Sequence, residues 1–338
     1  MNKRICIVGG GWYGCHVANY ILTTKRSVEL TIIDKCDIFS GASSKNQNRL
    51  HLGFHYPRSD DTIQECKAGY YKFLRNYSAF VDHFSNNFYF IDNYSKVKLD
   101  DYVKKFEGSY NYISDISELD FIINNVNGKC INVGEGLINN FKASLYFKEK
   151  FKDILVIGEI KDINVNDDYV NINGISYDYV INCTNNTWQP IHFPYKCIYQ
   201  TFCSFIYKID FKNTTSITVM DGEFFSIYPY NISESLYTVT HVKYGILHTS
   251  DNFEEFKIED SIIDETRKNT EMDIIKYIPE ITNTWEYIGY FVSYKSKYDT
   301  INDDRSLRAF RYGRYVSFSG GKITGIFETE SIIDSLNL

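Results

Sequence analysis

The first part of the chain shows two buried-strand patterns separated by one helical pattern. Residues 5–8 form a continuous apolar run, which is typical of a parallel strand buried on both faces. Glycines follow at once, and Trp12–Thr24 then carries apolar residues at helical spacing. A second apolar run covers residues 29–33 and ends at Asp34. This pattern predicts a strand, a tight turn, a helix and a second strand parallel to the first.

Helical and strand-like segments alternate through the rest of the chain. Helical spacing predicts helices over residues 61–84 and 140–152, one or two helices over 253–277, and a last helix running to 338. Short apolar runs separated by Asn, Asp and Gly predict a β-meander between residues 154 and 183 that leads into a buried strand. Further strands are predicted at residues 88–91, 129–133, 198–209, 224–230, 236–244 and 315–319. No linker composition separates these segments, so we expect interleaved domains.

Length, charge and cysteine usage exclude several classes of protein. A chain of 338 residues suggests about two domains. The net charge of −7 argues against non-specific binding to nucleic acid or to an anionic membrane. No apolar run is long enough to span a bilayer, and we expect no membrane span. The 8 cysteines form no CxxC pair and no zinc-ligand spacing, so we predict free thiols, a cytoplasmic location and no metal site.

The glycines after the first strand match the pattern G-x-G-x-x-G of a dinucleotide-binding turn. Gly9 permits the tight turn, Gly11 lets the backbone approach a pyrophosphate, and Gly14 lets the helix pack close to the strand. The helix N-terminus then offers unpaired N–H groups to the phosphates. Asp34, at the end of the second strand, is placed to accept hydrogen bonds from a ribose. The pattern in this context favours FAD or NAD.

Three more segments favour FAD over NAD, since a flavin ring must be held far from the pyrophosphate. They are the polar stretch that runs from 41 to 56, the strand end at 180–184, and the glycine-rich turn at 319–325 before the last predicted helix. A second helix N-terminus beside the flavin is suited to accept negative charge from its reduced ring. An NAD-binding domain needs none of these segments.

With these motifs the sequence resembles the D-amino-acid-oxidase superfamily of FAD-dependent oxidoreductases. It is nearest to the glycerol-3-phosphate dehydrogenase and L-2-hydroxyglutarate oxidase branches. Residues 51–56 match their H-x-G-x-x-Y stretch, 180–184 match most of V-[IV]-N-[AC]-[AT]-G, and 320–324 match G-G-K-x-T. Asn185 stands where the family has glycine. No motif of the family's substrate half is found.

The resemblance implies an α/β (α+β) fold with a Rossmann-like, three-layer FAD-binding domain and an inserted mixed β-sheet substrate domain. The FAD-binding domain would comprise residues 1–80, 140–190 and 296–338, and the substrate domain 81–139 and 191–295. FAD is expected to be bound non-covalently. The residues expected to hold it are Gly9, Gly11, Trp12, Tyr13, Gly14, Asp34, Lys35, Ser40, Ala42, Ser43, Ser44, Asn48, Arg49, Leu50, His51, Ile160, Cys183, Thr184, Gly320, Gly321, Lys322, Ile323 and Thr324.

Two groups of residues are candidates for the chemistry. The resemblance implies that His51 lies beside the flavin ring as a base or a flavin contact, and His55 follows on the same segment. In the substrate half, strand alternation places Tyr228 and Tyr230 on one face of one predicted strand. His241 and Lys243 share a face of the next predicted strand. Together these four residues would form a floor for an anionic, polar substrate.

These features predict an FAD-dependent oxidoreductase acting on a small molecule. It would take a hydride from a CH–NH or CH–OH carbon of an amino acid, amine or hydroxy acid and pass the electrons to oxygen or another acceptor. One alternative is a flavin-dependent isomerase of the sugar-nucleotide mutase type, which makes no net redox change. Another is a flavoprotein subunit without turnover of its own. The oligomeric state stays open.

Overall fold

The computed structural model describes residues 2–298, 306–320, 322–336 and 338. In chain order its strands are β1 (Lys3–Val8), β2 (Val28–Asp34), β3 (Arg49–Leu50), β4 (Val81–Asp82), β5 (Asn86–Asp92), β6 (Tyr112–Asp115), β7 (Val126–Asn132), β8 (Gly136–Ile138), β9 (Leu155–Ile157), β10 (Ile163–Val165), β11 (Val170–Ile172), β12 (Ile175–Tyr177), β13 (Tyr179–Asn182), β14 (Cys197–Ile209), β15 (Thr215–Met220), β16 (Phe225–Asn231), β17 (Leu236–His241), β18 (Ile246–Ser250), β19 (Trp285–Tyr298), β20 (Arg308–Tyr312) and β21 (Tyr315–Ser319). Its helices are α1 (Trp12–Thr24), α2 (Asp60–Tyr77), α3 (Leu99–Lys105), α4 (Asn140–Phe151), α5 (Asp260–Ile274), α6 (Ile281–Thr284) and α7 (Thr329–Asp334).

A three-layer unit surrounds β1, as predicted. The sheet has the order β20-β21-β13-β1-β2-β9, with β1 parallel to both neighbours. Ile5 and Ile7 of β1 pack into the same core as helix α1. Cys6 and Val8 point to the opposite face and pack against the small β10-β11-β12 meander. An apolar run without alternation therefore marks a strand that is covered on both faces.

The second large sheet is mixed and lies beside this unit. Its order is β18-β14-β17-β16-β15-β5-β7-β6, and β19 pairs with the other edge of β14. The pairing of β15 with β5 is parallel and the others are antiparallel. Helix α5 packs on one face through Ile263. The strands of the sheet around β1 come from the segments expected for the FAD-binding domain, and those of the mixed sheet come mainly from the segments expected for the substrate domain. The division of the chain into these two domains stays a prediction.

Several element boundaries differ from those the sequence predicts. The predicted helix 61–84 ends at Tyr77, because the following residues turn and Val81 pairs with Ile138 in a three-stranded sheet of β3, β8 and β4. The helical pattern at 253–277 forms a helix only over α5. The last predicted helix is a 3-10 turn, Ile323–Glu328, followed by the short α7. The sequence pattern predicts no strand at the positions of β3, β4, β6, β8, β15, β18, β19 and β20.

None of the helices within the described ranges is long and apolar enough to cross a lipid bilayer.

Asn140 joins three segments of the core around β1. Its side chain accepts a hydrogen bond from the Trp12 indole (2.8 Å) and donates to the Ser43 carbonyl and to Asn48 Oδ1 (2.6 Å each). Asn140 is the first residue of α4 and is buried, so its partners form hydrogen bonds with this amide instead of with water. The residue therefore fixes the polar segment 43–48 against helix α1.

The Asn140→Ala substitution is expected to lower the free energy of unfolding by about 3 kcal/mol. It leaves the buried Trp12 indole N–H and the buried Asn48 Oδ1 without a partner among the described residues, and each such group costs about 1–3 kcal/mol before relaxation. Urea denaturation measures the change. Asn76→Ala is the matched control, because Asn76 is an exposed helical residue whose amide donates to the Lys72 carbonyl. Equal stability of the two variants would contradict the role given to Asn140.

Candidate active site

The glycine turn between β1 and α1 leaves room for no side chain. Gly9 has φ +103°, which L side chains rarely adopt, and it lies against the backbone of Cys183. A Cβ at Gly14 would overlap the Gly9 carbonyl oxygen, so helix and strand approach each other through this glycine. A Cβ at Gly11 would lie 2.7 Å from Ser43 Oγ. The turn therefore keeps bare backbone at the start of α1, where Gly9 and Gly14 are buried and Gly11 is half-buried.

Two polar side chains hold this turn. Asp34 accepts hydrogen bonds from the Gly10 N–H (2.5 Å) and the Cys36 N–H (2.9 Å). Each carboxylate oxygen keeps a further lone pair, so Asp34 is still able to accept from a ribose hydroxyl. Ser43 Oγ accepts from the Trp12 N–H at 3.0 Å, at the first residue of α1. Ser43 is thus placed at the positive end of the helix.

The C-terminal segment meets the same turn. The Tyr13 hydroxyl donates to the Lys322 carbonyl at 2.9 Å. Glycine is required at Gly320, since a Cβ there would collide with the Tyr13 hydroxyl. The Gly320 N–H donates to Asn185 Oδ1 at 3.4 Å, so Asn185 closes the 180–185 segment onto the C-terminal segment. Tertiary structure therefore joins the three segments singled out in the sequence.

The other expected cofactor residues are placed as follows. Lys35 is exposed and pairs with Glu255 at 2.7 Å, and Ser40 and Ala42 are exposed in the loop after β2. Ser44 donates to the Phe39 carbonyl, Thr184 donates to Asn182 Oδ1, and Ile160 packs in the core above the small meander. Asn48 and Leu50 are buried around β3, Ile323 is half-buried, and Thr324 lies against Gly69 of α2. Gly321 lies outside the described residues.

A second polar cluster lies where the segment 49–55 meets the mixed sheet. We call it the carboxylate cluster, and its members are Arg49, His51, His55, Tyr89 and Glu135. The Glu135 side chain is 0% exposed and lies 3.5 Å from both Arg49 Nη1 and His51 Nδ1. Its oxygens accept from the Leu52 N–H (2.8 Å) and the Tyr89 hydroxyl (2.7 Å).

Both histidines of the carboxylate cluster are half-buried and face each other. Their rings are 4.8 Å apart and nearly perpendicular. His55 Nδ1 lies 2.5 Å from the Tyr89 hydroxyl, and this hydroxyl also accepts from Arg49 Nη1 at 2.8 Å. Arg49 is buried, and its guanidinium also donates to the hydroxyls of Thr218 and Ser226. Its positive charge is therefore balanced inside the cluster and does not contact solvent.

Burial and charge set the protonation states of the carboxylate cluster. Burial lowers the pKa of His55 well below its ordinary value, and the charges of Arg49 and His51 lower it further. Burial alone would raise the pKa of Glu135, but the neighbouring His51 ring and Arg49 guanidinium outweigh it and hold this pKa below its ordinary value. Burial raises the pKa of Tyr89 well above its ordinary value. At neutral pH, His55 is therefore neutral, Glu135 ionised and Tyr89 protonated.

Two histidine nitrogens and one carboxylate also have the make-up of a metal site. Ligand atoms of His51, His55 and Glu135 lie within 4.8 Å of one another. However, the Arg49 guanidinium stands 3.5 Å from the same carboxylate and already balances its charge. A divalent cation there would be repelled by the enclosed guanidinium. We assign no metal to this cluster.

Tyr228 belongs to the same side of the mixed sheet as the carboxylate cluster. The Arg49 guanidinium carbon lies 3.9 Å from the centre of the Tyr228 ring, a cation–π contact. The Tyr228 hydroxyl donates to the Gly136 carbonyl at 3.0 Å. Tyr230 lies farther along the strand and packs near Phe291, with ring centres 6.0 Å apart.

His241 lies on the opposite face of the sheet, which corrects the expected substrate floor. His241 pairs directly with Phe225 across β16 and β17, and directly opposed residues share a face. This is the face covered by α5, where His241 Nε2 lies 2.9 Å from Asp273 Oδ2. Thr238 is the residue opposite Tyr228. Lys243 is exposed beyond the end of β17. The prediction that the two tyrosines, His241 and Lys243 form one floor is therefore wrong.

A family model for FAD dependent oxidoreductases, named DAO, matches residues 4–283. The chain belongs to this family. It is 30% identical to the FAD-dependent monooxygenase FPY4 of Fusarium mangiferae, over 98% of this chain and 90% of FPY4. Among solved structures it is similar to glycine oxidase from Geobacillus kaustophilus, with a TM-score of 0.74, 13% identity, and 99% and 95% of the two chains covered. It is also similar to L-alpha-glycerophosphate oxidase from Mycoplasma pneumoniae, with a TM-score of 0.70, 13% identity, and 100% and 94% covered.

This membership confirms the predicted FAD-dependent enzyme and its fold class. As an FAD-dependent oxidoreductase the chain needs a surface that admits a long dinucleotide, and the turn at Gly9–Gly14 fits it. Side chains at Gly11 and Gly320 would fill the space between the start of α1 and its neighbours. The family assignment gives no support to the isomerase or to the non-catalytic flavoprotein considered above.

The sequence analysis of this oxidoreductase missed Glu135 and Tyr89. Glu135 lies between two glycines in the turn from β7 to β8, within a stretch from Val133 to Ile138 that holds no other polar side chain. A single acidic residue in such a stretch indicates a buried carboxylate with a partner, since burying an unpaired carboxylate costs a large free energy. Tyr89 carried no signal, because alternation alone cannot distinguish it from the aromatic core residues around it.

Proposed function

We propose that the chain oxidises a CH–OH or CH–NH carbon of a small polar substrate such as an amino acid, amine or hydroxy acid, with FAD bound along the turn at Gly9–Gly14. The observation that carries this proposal is the facing pair His51 and His55. Both lie on the segment that follows the polar cofactor loop, and both contact a buried, charge-balanced acid–tyrosine pair. The imidazole of His55, neutral at neutral pH, is suited to accept the proton that leaves the substrate's O–H or N–H group.

FAD, when bound, accepts the hydride in this chemistry. The chain would hold it with the backbone at Gly9, Gly11 and Gly14, with Asp34 at the ribose, and with the segment from Gly320 to Thr324. Lys322 Nζ lies 4.6 Å from the centre of the Tyr56 ring and brings a positive charge to the end of the H-x-G-x-x-Y stretch. The half-buried side chains of that stretch would form the wall on which the substrate is oriented.

The solved neighbours support both substrate chemistries. The name of glycine oxidase specifies an amine, and that of L-alpha-glycerophosphate oxidase specifies an alcohol. Both neighbours are similar to this chain over nearly its full length, so their fold accommodates either C–H bond. The carboxylate cluster serves either substrate, because a neutral imidazole accepts a proton from oxygen or nitrogen alike.

The test uses the purified protein loaded with FAD. Its visible spectrum is recorded before and after anaerobic mixing with amino acids, N-methyl amines, hydroxy acids and sugar phosphates in turn. Bleaching of the flavin bands with one class supports the proposal and identifies the bond that is oxidised. A protein that takes up no FAD would contradict the cofactor site, and a bound flavin that no member of the panel reduces would contradict the substrate class.

A second candidate is a monooxygenase, which the name of the relative FPY4 favours. Such an enzyme inserts one oxygen atom of O₂ into the substrate and reduces the other to water, so it consumes two electrons from an external reductant. Turnover under ¹⁸O₂ separates the two candidates. Labelled product formed only with added NADH or NADPH indicates the monooxygenase, and unlabelled dehydrogenated product with hydrogen peroxide indicates the oxidase.

His51→Ala is expected to slow flavin reduction by the substrate by about 10²-fold, because it removes the ring that faces His55 and contacts Glu135, and a correctly positioned base accelerates proton transfer by about 10²–10⁴-fold. The FAD absorbance per protein is expected to stay the same. Stopped-flow absorbance under anaerobic conditions measures the rate. His248→Ala is the control, since His248 lies on β18 and pairs with Glu254 at 3.0 Å. Reduction at the unaltered rate in His51→Ala would contradict the proposed role.

A further inference from the structure

Three polar groups surround the Tyr89 hydroxyl, and their geometry decides where its single proton lies. Arg49 Nη1 is 2.8 Å away, Glu135 Oε2 is 2.7 Å away and His55 Nδ1 is 2.5 Å away. A phenol hydroxyl has one proton to donate and lone pairs that accept. The arginine side chain can only donate hydrogen bonds, so Arg49 occupies one lone pair of the Tyr89 oxygen. The Tyr89 proton must go to either Glu135 or His55.

The Tyr89 hydroxyl donates its hydrogen bond to Glu135, because the ionised carboxylate carries no proton and can only accept. Its other oxygen accepts from the Leu52 N–H at 2.8 Å, and the enclosed guanidinium of Arg49 keeps the carboxylate ionised. If Tyr89 donated to His55 instead, two oxygens without a proton between them would face each other at 2.7 Å in a buried site. That arrangement is strongly repulsive at low dielectric.

The remaining lone pair of Tyr89 must then accept a proton from His55 Nδ1. A neutral imidazole carries only one ring proton, so His55 Nε2 holds the free lone pair. We propose that Tyr89 and Glu135 are positioning residues that hold His55 in its Nδ1–H tautomer and thereby make His55 Nε2 the atom that accepts the substrate proton. The inference rests on the proposed function, since it names the accepting atom in that oxidation.

The proton balance of this step is simple. The substrate O–H or N–H bond breaks and an N–H bond forms at His55 Nε2, while the bonding electron pair stays on the substrate heteroatom. The imidazolium that forms would donate through Nδ1 to Tyr89, which in turn donates to the anionic Glu135. The carboxylate cluster therefore stabilises the charge that His55 gains.

His241 provides a contrast within the same protein. Its Nε2 lies 2.9 Å from Asp273 Oδ2, while its Nδ1 accepts the Lys243 N–H at 3.2 Å. In its neutral form His241 therefore carries its proton on Nε2. The structure thus assigns opposite tautomers to two histidines on opposite faces of one sheet.

The experiment records long-range ¹H–¹⁵N correlation spectra of the FAD-loaded protein labelled with ¹⁵N at histidine, without substrate. His55→Gln and His241→Gln identify the two sets of signals. The expected result is a protonated Nδ1 in His55 and a protonated Nε2 in His241. A protonated Nε2 in His55 would overturn the inference, whatever substrate the enzyme oxidises.

Tyr89→Phe tests whether the tyrosine is the cause. It is expected to remove the Nδ1–H preference of His55, to leave His241 unchanged, and to slow flavin reduction by about 10²-fold with FAD still bound. Tyr102→Phe is the matched control, because Tyr102 is as buried as Tyr89 and its hydroxyl donates to the Phe54 carbonyl and not to the carboxylate cluster. Retention of the Nδ1–H tautomer in Tyr89→Phe would overturn the positioning role.

The two proposals fail in different ways. If His55→Gln reduces its flavin as fast as the unaltered protein while the spectra show the Nδ1–H tautomer, His55 is not the acceptor, and both the inference and the role of His55 in the proposed oxidation are wrong. If the tautomer is Nε2–H and His55→Gln is slow, the proposed oxidation stands and the inference alone is overturned. The spectrum of the unaltered protein decides even if Tyr89→Phe does not fold.

Discussion

Replacing Gly11 with aspartate is expected to give a folded but colourless protein. The added Cβ would lie 2.7 Å from Ser43 Oγ, and the carboxylate would stand at the start of α1, where we propose that the pyrophosphate binds. Two like charges held a few ångströms apart with little water between them repel by several kcal/mol, so we expect FAD affinity to fall by about 10³-fold or more. Absorbance of the purified protein and titration with FAD measure the loss.

Gly128→Asp is the matched control for this experiment. Gly128 lies in β7 of the mixed sheet, is exposed, and has no atom within 4 Å of an added Cβ. This variant carries the same new charge on the same protein and is expected to stay yellow. Circular dichroism establishes that both variants fold. A folded Gly11→Asp protein that purifies with a full complement of flavin would show that the pyrophosphate does not lie at this turn.

The Arg49→Met substitution is expected to lower the free energy of unfolding by about 3–5 kcal/mol. Glu135 would be left as an uncompensated buried charge, and removal of one partner of such a pair has this cost. The hydroxyls of Tyr89, Thr218 and Ser226 would also lose the hydrogen bond that Arg49 donates to each of them. Urea denaturation of the FAD-free protein measures the change without the added stability that a bound cofactor gives.

A double variant separates the charge from the packing. Arg49→Met combined with Glu135→Leu removes both charges, and we expect it to recover most of the lost stability, because an apolar pair of similar volume is often as stable as a buried ion pair. Lys152→Met is the surface control, since Lys152 and Glu149 form a 2.6 Å pair that is largely exposed, and its effect is expected to stay within about 1 kcal/mol. A double variant as unstable as Arg49→Met would show that the loss is due to packing.

Local chemistry made the cofactor half predictable from the sequence. An apolar run followed by glycines is typical of a buried strand that ends in a tight turn, so β1, the turn at Gly9–Gly14 and helix α1 follow from residues that are neighbours in the chain. The same holds for Asp34 at the end of β2. Element boundaries were less predictable where tertiary pairing took over, as at Val81, which leaves the helical pattern to pair with Ile138.

The sheet register was decided only by the tertiary structure. Alternation places His241 and Tyr228 on definite faces of their own strands, but it does not relate one strand to the next. The register that pairs His241 with Phe225 places His241 under α5, away from Tyr228. A shift of one residue would reverse that result, because successive side chains point to opposite faces.

The carboxylate cluster shows the same division. His51 and His55 are recognisable from the sequence, since they stand together in one short stretch after the cofactor loop. Tyr89 is 34 residues from His55 in the chain, and Glu135 is 46 residues beyond Tyr89. Nothing local links the three. The sequence by itself determined the nucleotide-binding turn and the candidate bases, because these depend on neighbouring residues. Only the tertiary structure decided which buried groups fix their protonation, because those contacts arise when two sheets pack together.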